Sequence, residues 1–299
     1  MPARSSLPLA WAGRAAESLF AVLFPSDCRI CSAPLVKVSR LPVCEECLAQ
    51  IHPVGGKLCV VCGERVHAAY ALPGSDGVIR CPVCSRIAPP FARAVAYGSY
   101  EGGLRELIHL LKYGGVRPAA NVLGRMLAEV IAALEPEFSP AGISGFADPT
   151  IAVIPVPLHK TKRRERGFNQ AELIARAALK LNPVPDRLLL CTDVLQRQRE
   201  TDSQIGLTAH QRRANLRGAF SVTRAEKIKG REALLVDDVL TTGTTAAECA
   251  RVLLRAGAAL VWVATVARTL KLASHYAEMS QARVEQKIEE IPMARAVAG

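Results

Sequence analysis

Apolar residues recur along the chain in two rhythms, and each rhythm predicts an element. Between positions 7 and 24, Trp11, Ala15, Leu19 and Leu23 return every fourth residue, which predicts an amphipathic helix ending before Pro25. Phe91 to Tyr100 has strand character, Glu101-Gly102-Gly103 reads as a turn, and Leu104, Leu107, Ile108 and Leu111 return to helical spacing. A second apolar helix is expected over Val122 to Leu134, followed by a surface loop from Glu135 to Thr150. Ile151 to Val156 is a short β-branched run, followed by a basic loop from Lys160 to Arg166 and a helix from about Asn169 to Lys180. A clearer unit follows: a buried strand Glu232 to Asp237, a loop Asp238 to Gly243, and a helix Thr244 to Ala256 with Cys249, Val252, Leu253 and Ala256 on one face. Gly257 stops that helix, and Leu260 to Val266 forms the next strand. Strand, helix and strand in that order predict an α/β fold with a doubly wound parallel sheet.

The cysteines add a second unit. Eight of the ten lie in four Cys-x-x-Cys pairs within the first 84 residues, and Cys191 and Cys249 stand outside them. Cys28, Cys31, Cys44 and Cys47 make one quartet, and Cys59, Cys62, Cys81 and Cys84 the other. Two residues between cysteines let one tight turn aim both thiolates at a point, and a second pair completes a tetrahedral four-sulfur shell. Iron–sulfur clusters use the same thiolates, so spacing leaves the occupant open, but two structural zinc ions are the expectation. Pairing of alternate knuckles is the other arrangement that spacing allows. Pro89 and Pro90 resist helix and mark a linker, so the chain divides into an N-terminal helix (1–24), a double zinc ribbon (25–88), an α/β domain (89–270) and a tail (271–299).

Charge narrows the partners without choosing among them. Thirty-eight Lys and Arg against twenty-seven Asp and Glu leave a formal net charge of +11, which favours anions such as phosphates or nucleic acid. Aromatic residues are only 5% of the chain, which argues against a single-strand platform built on stacking rings. No apolar run approaches the roughly 20 residues of a membrane span, and Arg14 and Glu17 interrupt the N-terminal stretch. With its many thiols and no secretory signal, the chain is expected in the cytoplasm.

The most informative stretch is Leu234-Leu-Val-Asp-Asp-Val-Leu-Thr-Thr-Gly-Thr-Thr245. An apolar strand carries Asp237 and Asp238 to its carboxyl end, where open α/β sheets bind their ligands and where carboxylates suit vicinal ribose hydroxyls. Thr241-Thr242-Gly243-Thr244-Thr245 then sets hydroxyls, backbone N–H groups and a permissive glycine at a helix N-terminus, a cradle for a monophosphate. A Rossmann turn would need GxGxxG and a Walker loop Gly-Lys-Ser/Thr; neither occurs here. Lys112 either reaches a phosphate or complements the negative end of its own helix.

Two acids followed by Thr-Thr-Gly-Thr-Thr resemble the phosphoribosyl-pyrophosphate loop of the type I phosphoribosyltransferases. From about Cys28 to Arg268 the chain resembles one branch of these, the ComF family of competence-associated proteins, which joins a double zinc ribbon to that domain. The likeness rests also on Pro155-Val-Pro-Leu158, Arg166-Gly-Phe-Asn-Gln170, Gln204-x-x-Leu207, and Arg213-x-Asn215 before Phe220. It implies phosphoribosyl pyrophosphate bound by Val236, Asp237, Asp238, Val239, Leu240, Thr241, Thr242, Gly243, Thr244 and Thr245. It also implies a loop over Val156 to Gly167, often with a cis peptide, whose Lys160 and Arg166 meet the pyrophosphate.

The same resemblance places a flexible hood at Arg197 to Arg217, with Arg197, Arg199, Arg213 and Asn215 as its candidates. The implied reaction displaces pyrophosphate from the ribose anomeric carbon with Mg²⁺ present, using Asp237, Asp238, Lys160, Arg166 and Arg197, with Asp238 the candidate base. Cys28 is committed to a knuckle, so glutamine is not the expected nitrogen donor. The alternative is a non-catalytic competence accessory that senses ribose phosphate or binds single-stranded DNA and an uptake helicase. The tail and the oligomeric state carry no readable motif.

Overall fold

Cysteines start both short helices of the N-terminal region. Helix α1 (Glu45–Ala49) is capped by Cys44, whose sulfur accepts the N–H of Cys47. The two-residue strands β1 (Leu72–Pro73) and β2 (Ile79–Arg80) pair antiparallel and lead to α2 (Pro82–Arg86), capped in the same way by Cys81. The computed structural model describes residues 26–35, 39–66, 72–73, 78–138, 150–182, 185–200, 211 and 215–270. The expected helix at 7–24 and the tail at 271–299 lie outside the described residues. Among those described, no helix is long and apolar enough to cross a membrane.

The knuckles pair in chain order. The sulfurs of Cys28, Cys31, Cys44 and Cys47 lie within 4.8 Å of one another, as do those of Cys59, Cys62, Cys81 and Cys84. That removes the alternate pairing. Sulfur separations are 3.9 Å for Cys28 and Cys47, and 3.7 Å for both Cys31–Cys44 and Cys62–Cys81. A tetrahedral shell with zinc–sulfur bonds of about 2.3 Å spaces its sulfurs about 3.8 Å apart, so both quartets are compatible with a closed structural zinc site.

The rest of the chain runs β3 (Arg93–Ser99), α3 (Gly102–Lys112), α4 (Ala119–Leu134), β4 (Ile151–Pro155), α5 (Lys160–Arg166), α6 (Gln170–Leu179) and β5 (Leu188–Leu190). A small antiparallel pair, β6 (Leu195–Arg197) and β7 (Phe220–Val222), precedes β8 (Glu232–Leu240), α7 (Thr244–Arg255) and β9 (Leu260–Arg268). Five strands make one sheet in the order β3-β9-β8-β4-β5, with every neighbouring pair parallel. The doubly wound parallel sheet is therefore present. Because strand side chains alternate between faces, Leu234, Val236 and Trp262 join the core with Leu107 and Leu127, while Ala233, Leu235 and Val263 join Cys249 and Leu253 of α7.

Two expected boundaries move. The basic stretch Lys160 to Arg166 is a helix rather than a loop, because Lys and Arg are good helix formers, His159 caps its start and Gly167, at φ 74°, ends it in the left-handed region. Strand β8 continues through Leu240, since its partner β9 also runs on to Arg268. The described peptide bonds include no cis bond.

Helices α4 and α6 touch through a glycine. A Cβ on Gly124 would lie 2.4 Å from the Cβ of Ala177, so the two backbones approach as closely as they do only without a side chain there. Gly124→Val is expected to destabilise the protein by about 1–3 kcal/mol through overpacking, read as a lower denaturation midpoint in urea.

The ribbons cover the outer edge of β3. Ala94 N–H donates to Val61 O at 2.7 Å and Val54 N–H to Tyr97 O at 2.6 Å, so main-chain groups that would face solvent on an edge strand are paired. Arg268 at the end of β9 forms a buried ion pair with Glu64 at 3.0 Å and lies 3.7 Å from Cys62 Sγ. Ile51 and Cys47 pack on α3 through Gly103.

Candidate phosphate and ribose site

Strand order locates the crevice. The chain steps outward from β4 to β5, then returns to the other side of β4 with β8 and moves on to β9. The order reverses between β4 and β8, and an open α/β sheet binds ligands beyond the carboxyl ends of strands at such a point. Asp237 and Asp238 lie at that end of β8, beside Val156, whose N–H donates to Val236 O at 2.8 Å.

The two acids have different neighbours. Asp238 is 3% exposed; the Lys112 ammonium stands against its Oδ2, and Gln170 Nε2 donates to its Oδ1 at 3.4 Å. Asp237 is half-buried and accepts the N–H of Asp238 on its own carboxylate at 2.9 Å, and its charge bears on Arg197 and on the Cys249 thiol. Burial works to raise the Asp238 carboxyl, yet Lys112 overrides it and holds Asp238 below the usual carboxylate range. Burial and then the charge of Asp238 push Asp237 well above that range. The pair is unequal: Asp238 ionises first and Asp237 is the last to give up its proton.

The stretch expected to cradle a phosphate follows immediately. Leu240 is buried, and its carbonyl accepts the N–H of Thr269 at 3.0 Å, while Val239 is half-buried. Thr241 and Thr242 are exposed. Gly243 caps α7 at φ 75°, a left-handed conformation that a side chain would strain. Thr242 and Thr244 hydroxyls lie 2.8 Å apart, and Thr245 completes the first turn, whose leading N–H groups have no acceptor within the helix. Positive helix-end charge and three N–H groups on a rigid strand–turn–helix favour a dianionic phosphate.

The cationic candidates divide. Arg166 donates to Gln170 Oε1, so one side chain links it to Asp238, and its guanidinium lies 5.7 Å from the centroid of the Tyr113 ring. Lys160 is exposed at the first position of α5. Arg197 sits half-buried on β6, its guanidinium 5.6 Å from the Phe220 ring centroid. Arg199 turns instead to the backbone of the hood's far end, donating to Asn215 O at 2.7 Å and Arg217 O at 3.2 Å. The Glu248 carboxylate on α7 accepts the N–H of Gly218, tying that same end to the phosphate helix. Arg213, Gln204 and Leu207 lie outside the described residues.

Lys112 is the group that sequence reasoning left undecided. It closes α3, yet its ammonium serves neither the end of that helix nor an exposed phosphate position and goes to Asp238. Around it, Tyr100 and His109 hydrogen-bond at 2.9 Å, and His109 meets the exposed Tyr113 edge-on at 5.3 Å. Nothing in the local pattern of Leu110-Leu-Lys-Tyr113 announces a partner so distant in the chain.

The family of phosphoribosyl transferase domains matches residues 167–292. The chain is 34% identical over 250 residues to the DNA utilization protein YhgH of Escherichia coli O157:H7, covering 82% of this chain and 98% of that relative. It is 28% identical over 232 residues to competence protein F of Haemophilus influenzae, covering 75% and 96%. It is 26% identical over 217 residues to competence protein ComFC of Bacillus subtilis, covering 73% and 80%. With two paired cysteine quartets ahead of a doubly wound sheet, and relatives aligned over most of their length, this chain belongs to the ComF family.

Proposed function

We propose that the crevice between β4 and β8 binds phosphoribosyl pyrophosphate and transfers its ribose 5-phosphate to a nitrogen acceptor. The observation that carries the reading is the acid pair and the Thr241 to Thr245 cradle in one continuous strand–turn–helix at the point where strand order reverses. The cradle takes the 5-phosphate, and Asp238 and Asp237 take the ribose hydroxyls. Arg166 and Lys160, on the neighbouring helix, meet the pyrophosphate. Magnesium would be held by the oxygens of the pyrophosphate, as is usual for that ion, and would neutralise the leaving group.

The bond from the anomeric carbon to pyrophosphate breaks with its electron pair on oxygen, and the acceptor nitrogen supplies the new bond. Positive charge that develops on the sugar lies beside the ionised Asp238, which lowers the barrier. The acceptor's surplus proton passes to a base, for which Asp238 is the candidate. The hood expected from Arg197 to Arg217, of which 201–210 and 212–214 lie outside the described residues, would exclude water, whose attack would waste the reagent.

A second reading has its own support. Relatives are named for DNA utilization and competence, and α5 presents Lys160, Lys162, Arg163 and Arg164 to solvent. A non-catalytic accessory in DNA uptake, in the cytoplasm, contacting single-stranded DNA or an uptake helicase, fits that face. Calorimetric titration with phosphoribosyl pyrophosphate and Mg²⁺ separates the two. Wild type is expected to bind, and Asp237→Asn with Asp238→Asn is expected to weaken binding by about 100-fold or more through loss of charge-assisted hydrogen bonds. Equal binding by both proteins would remove the acid pair from the site; no binding by folded, zinc-loaded wild type would leave the accessory reading.

A further inference from the structure

We infer that Lys112 is a positioning residue of this site: its ammonium, delivered from the end of α3, holds Asp238 ionised and aimed so that it receives a ribose hydroxyl. The inference rests on the function proposed above and extends it to a residue that lies outside the phosphate loop and outside the basic helix. Three observations converge. Lys112 stands against Asp238 Oδ2, with side chains 17% and 5% exposed, so the contact is shielded from water and salt. Gln170 fixes the other oxygen, and Arg166 in turn holds Gln170, so the carboxylate is gripped from two helices at once. Asp237, directly adjacent, would otherwise compete with Asp238 for the charge.

A buried carboxylate without that cation would take up a proton and become a donor, which is the wrong partner for a hydroxyl that must donate to it. Lys112 decides which of the two acids carries the proton. The other charged or titratable groups facing the pair lie further round it. Tyr100 beyond β3 and His109 on α3 stand on the Lys112 side, and Arg197 on β6 and Cys249 on α7 on the Asp237 side. His109 adds no lasting charge, because burial and Arg105 hold it below its usual value. The ammonium lies against Asp238 Oδ2 and acts through that carboxylate.

The sign of the pH effect follows. A carboxylate held low by a cation keeps its accepting form as pH falls, so binding by wild type persists into acid. Lys112→Met removes the cation while keeping the bulk of the stem, and Asp238 should then protonate at higher pH.

The experiment uses the full-length, zinc-loaded protein as wild type, Lys112→Met, Lys112→Arg and the double variant Lys112→Met with Asp238→Asn. Carbon-13 NMR follows the Asp238 carboxyl through a pH titration without ligand, and calorimetry gives the affinity for phosphoribosyl pyrophosphate with Mg²⁺ across the same range. Lys112→Met is expected to move the carboxyl titration upward, to weaken binding about tenfold at neutral pH, and to shift the acid limb of binding upward. Lys112→Arg should restore most of both, which loss of packing alone would not predict. Should Lys112→Met prove too unstable, Lys112→Arg and the uncharged double variant still bracket the effect: the first should bind like wild type, and the second should lose the acid limb.

With a wild type that binds, a carboxyl titration or a binding profile that Lys112→Met leaves unmoved overturns the inference. A wild type that binds no ligand sinks the function instead, and the carboxyl titration alone then decides whether Lys112 governs Asp238.

Discussion

Zinc removal is expected to unfold the ribbon region and to make the sheet it covers prone to aggregation. Structural zinc sites in small domains carry apparent binding free energies of about 10–16 kcal/mol, and whole domains are stable by only about 5–15 kcal/mol. Among the described residues the second quartet has only a small core, Cys59, Val66 and Cys81, and β1 and β2 are two residues each. Without metal, nothing binds the four sulfurs that now lie within 4.8 Å of one another, and the knuckle that supplies Val61 O to β3 is lost. The uncovered seven-residue strand then offers its main chain to another molecule. Elemental analysis should find two zinc ions per chain; chelation, or Cys59→Ser, should lower the melting temperature and raise light scattering together. Iron in place of zinc, or a chelated protein with unchanged melting, would sink this account.

Arg268→Ala is expected to cost about 3–5 kcal/mol, because it removes the guanidinium paired with the buried Glu64 carboxylate at the junction of ribbon and sheet. The contact is short and both side chains are 6% exposed, so water does not take over the role of the guanidinium. The double change Arg268→Met with Glu64→Leu should recover much of the loss, since an apolar pair of similar volume often matches a buried ion pair. Urea unfolding of wild type, Arg268→Met, Glu64→Leu and the double variant measures the coupling directly. If Arg268→Ala costs no more than an exposed substitution, the ribbon is not fastened to the sheet through this pair.

Much of this architecture was legible in the chain itself. The helix expected at Thr244 to Ala256 spans Thr244–Arg255, and the one expected from Asn169 to Lys180 spans Gln170–Leu179, because strong apolar periodicity and clear stops coincide there. The quartets were legible as quartets, but spacing alone does not say which knuckles share an ion; that follows from which turns the fold brings together. The basic segment misled because charge reads as loop when no apolar face accompanies it, and Lys160–Arg166 is a helix without a buried residue. Strands β5, β6 and β7, of three residues each, are too short for alternation to register. Within the site, Asp237, Asp238 and the threonines are contiguous and so announced themselves. Lys112 and Gln170 meet Asp238 only through tertiary packing, and no local pattern encodes that.

The order of strands in the sheet also bears on how the protein is made. Strand β3 is completed early in synthesis, yet its neighbour in the sheet is β9, and the gap between β3 and β4 is filled by the two strands made last among those described. At about 4.8 Å per strand, β3 and β4 stand some 14 Å apart with nothing between them until β8 and β9 arrive. A ribosome-bound chain that has reached α7 therefore owns a finished cysteine-rich region, three strands that can pair as β8-β4-β5 and both acids, but β3 still lacks its sheet neighbour. Only β9 joins β3 to the rest of the sheet, and late closure of this kind leaves an interval in which chaperones help to keep the exposed edge of β3 apart from other chains.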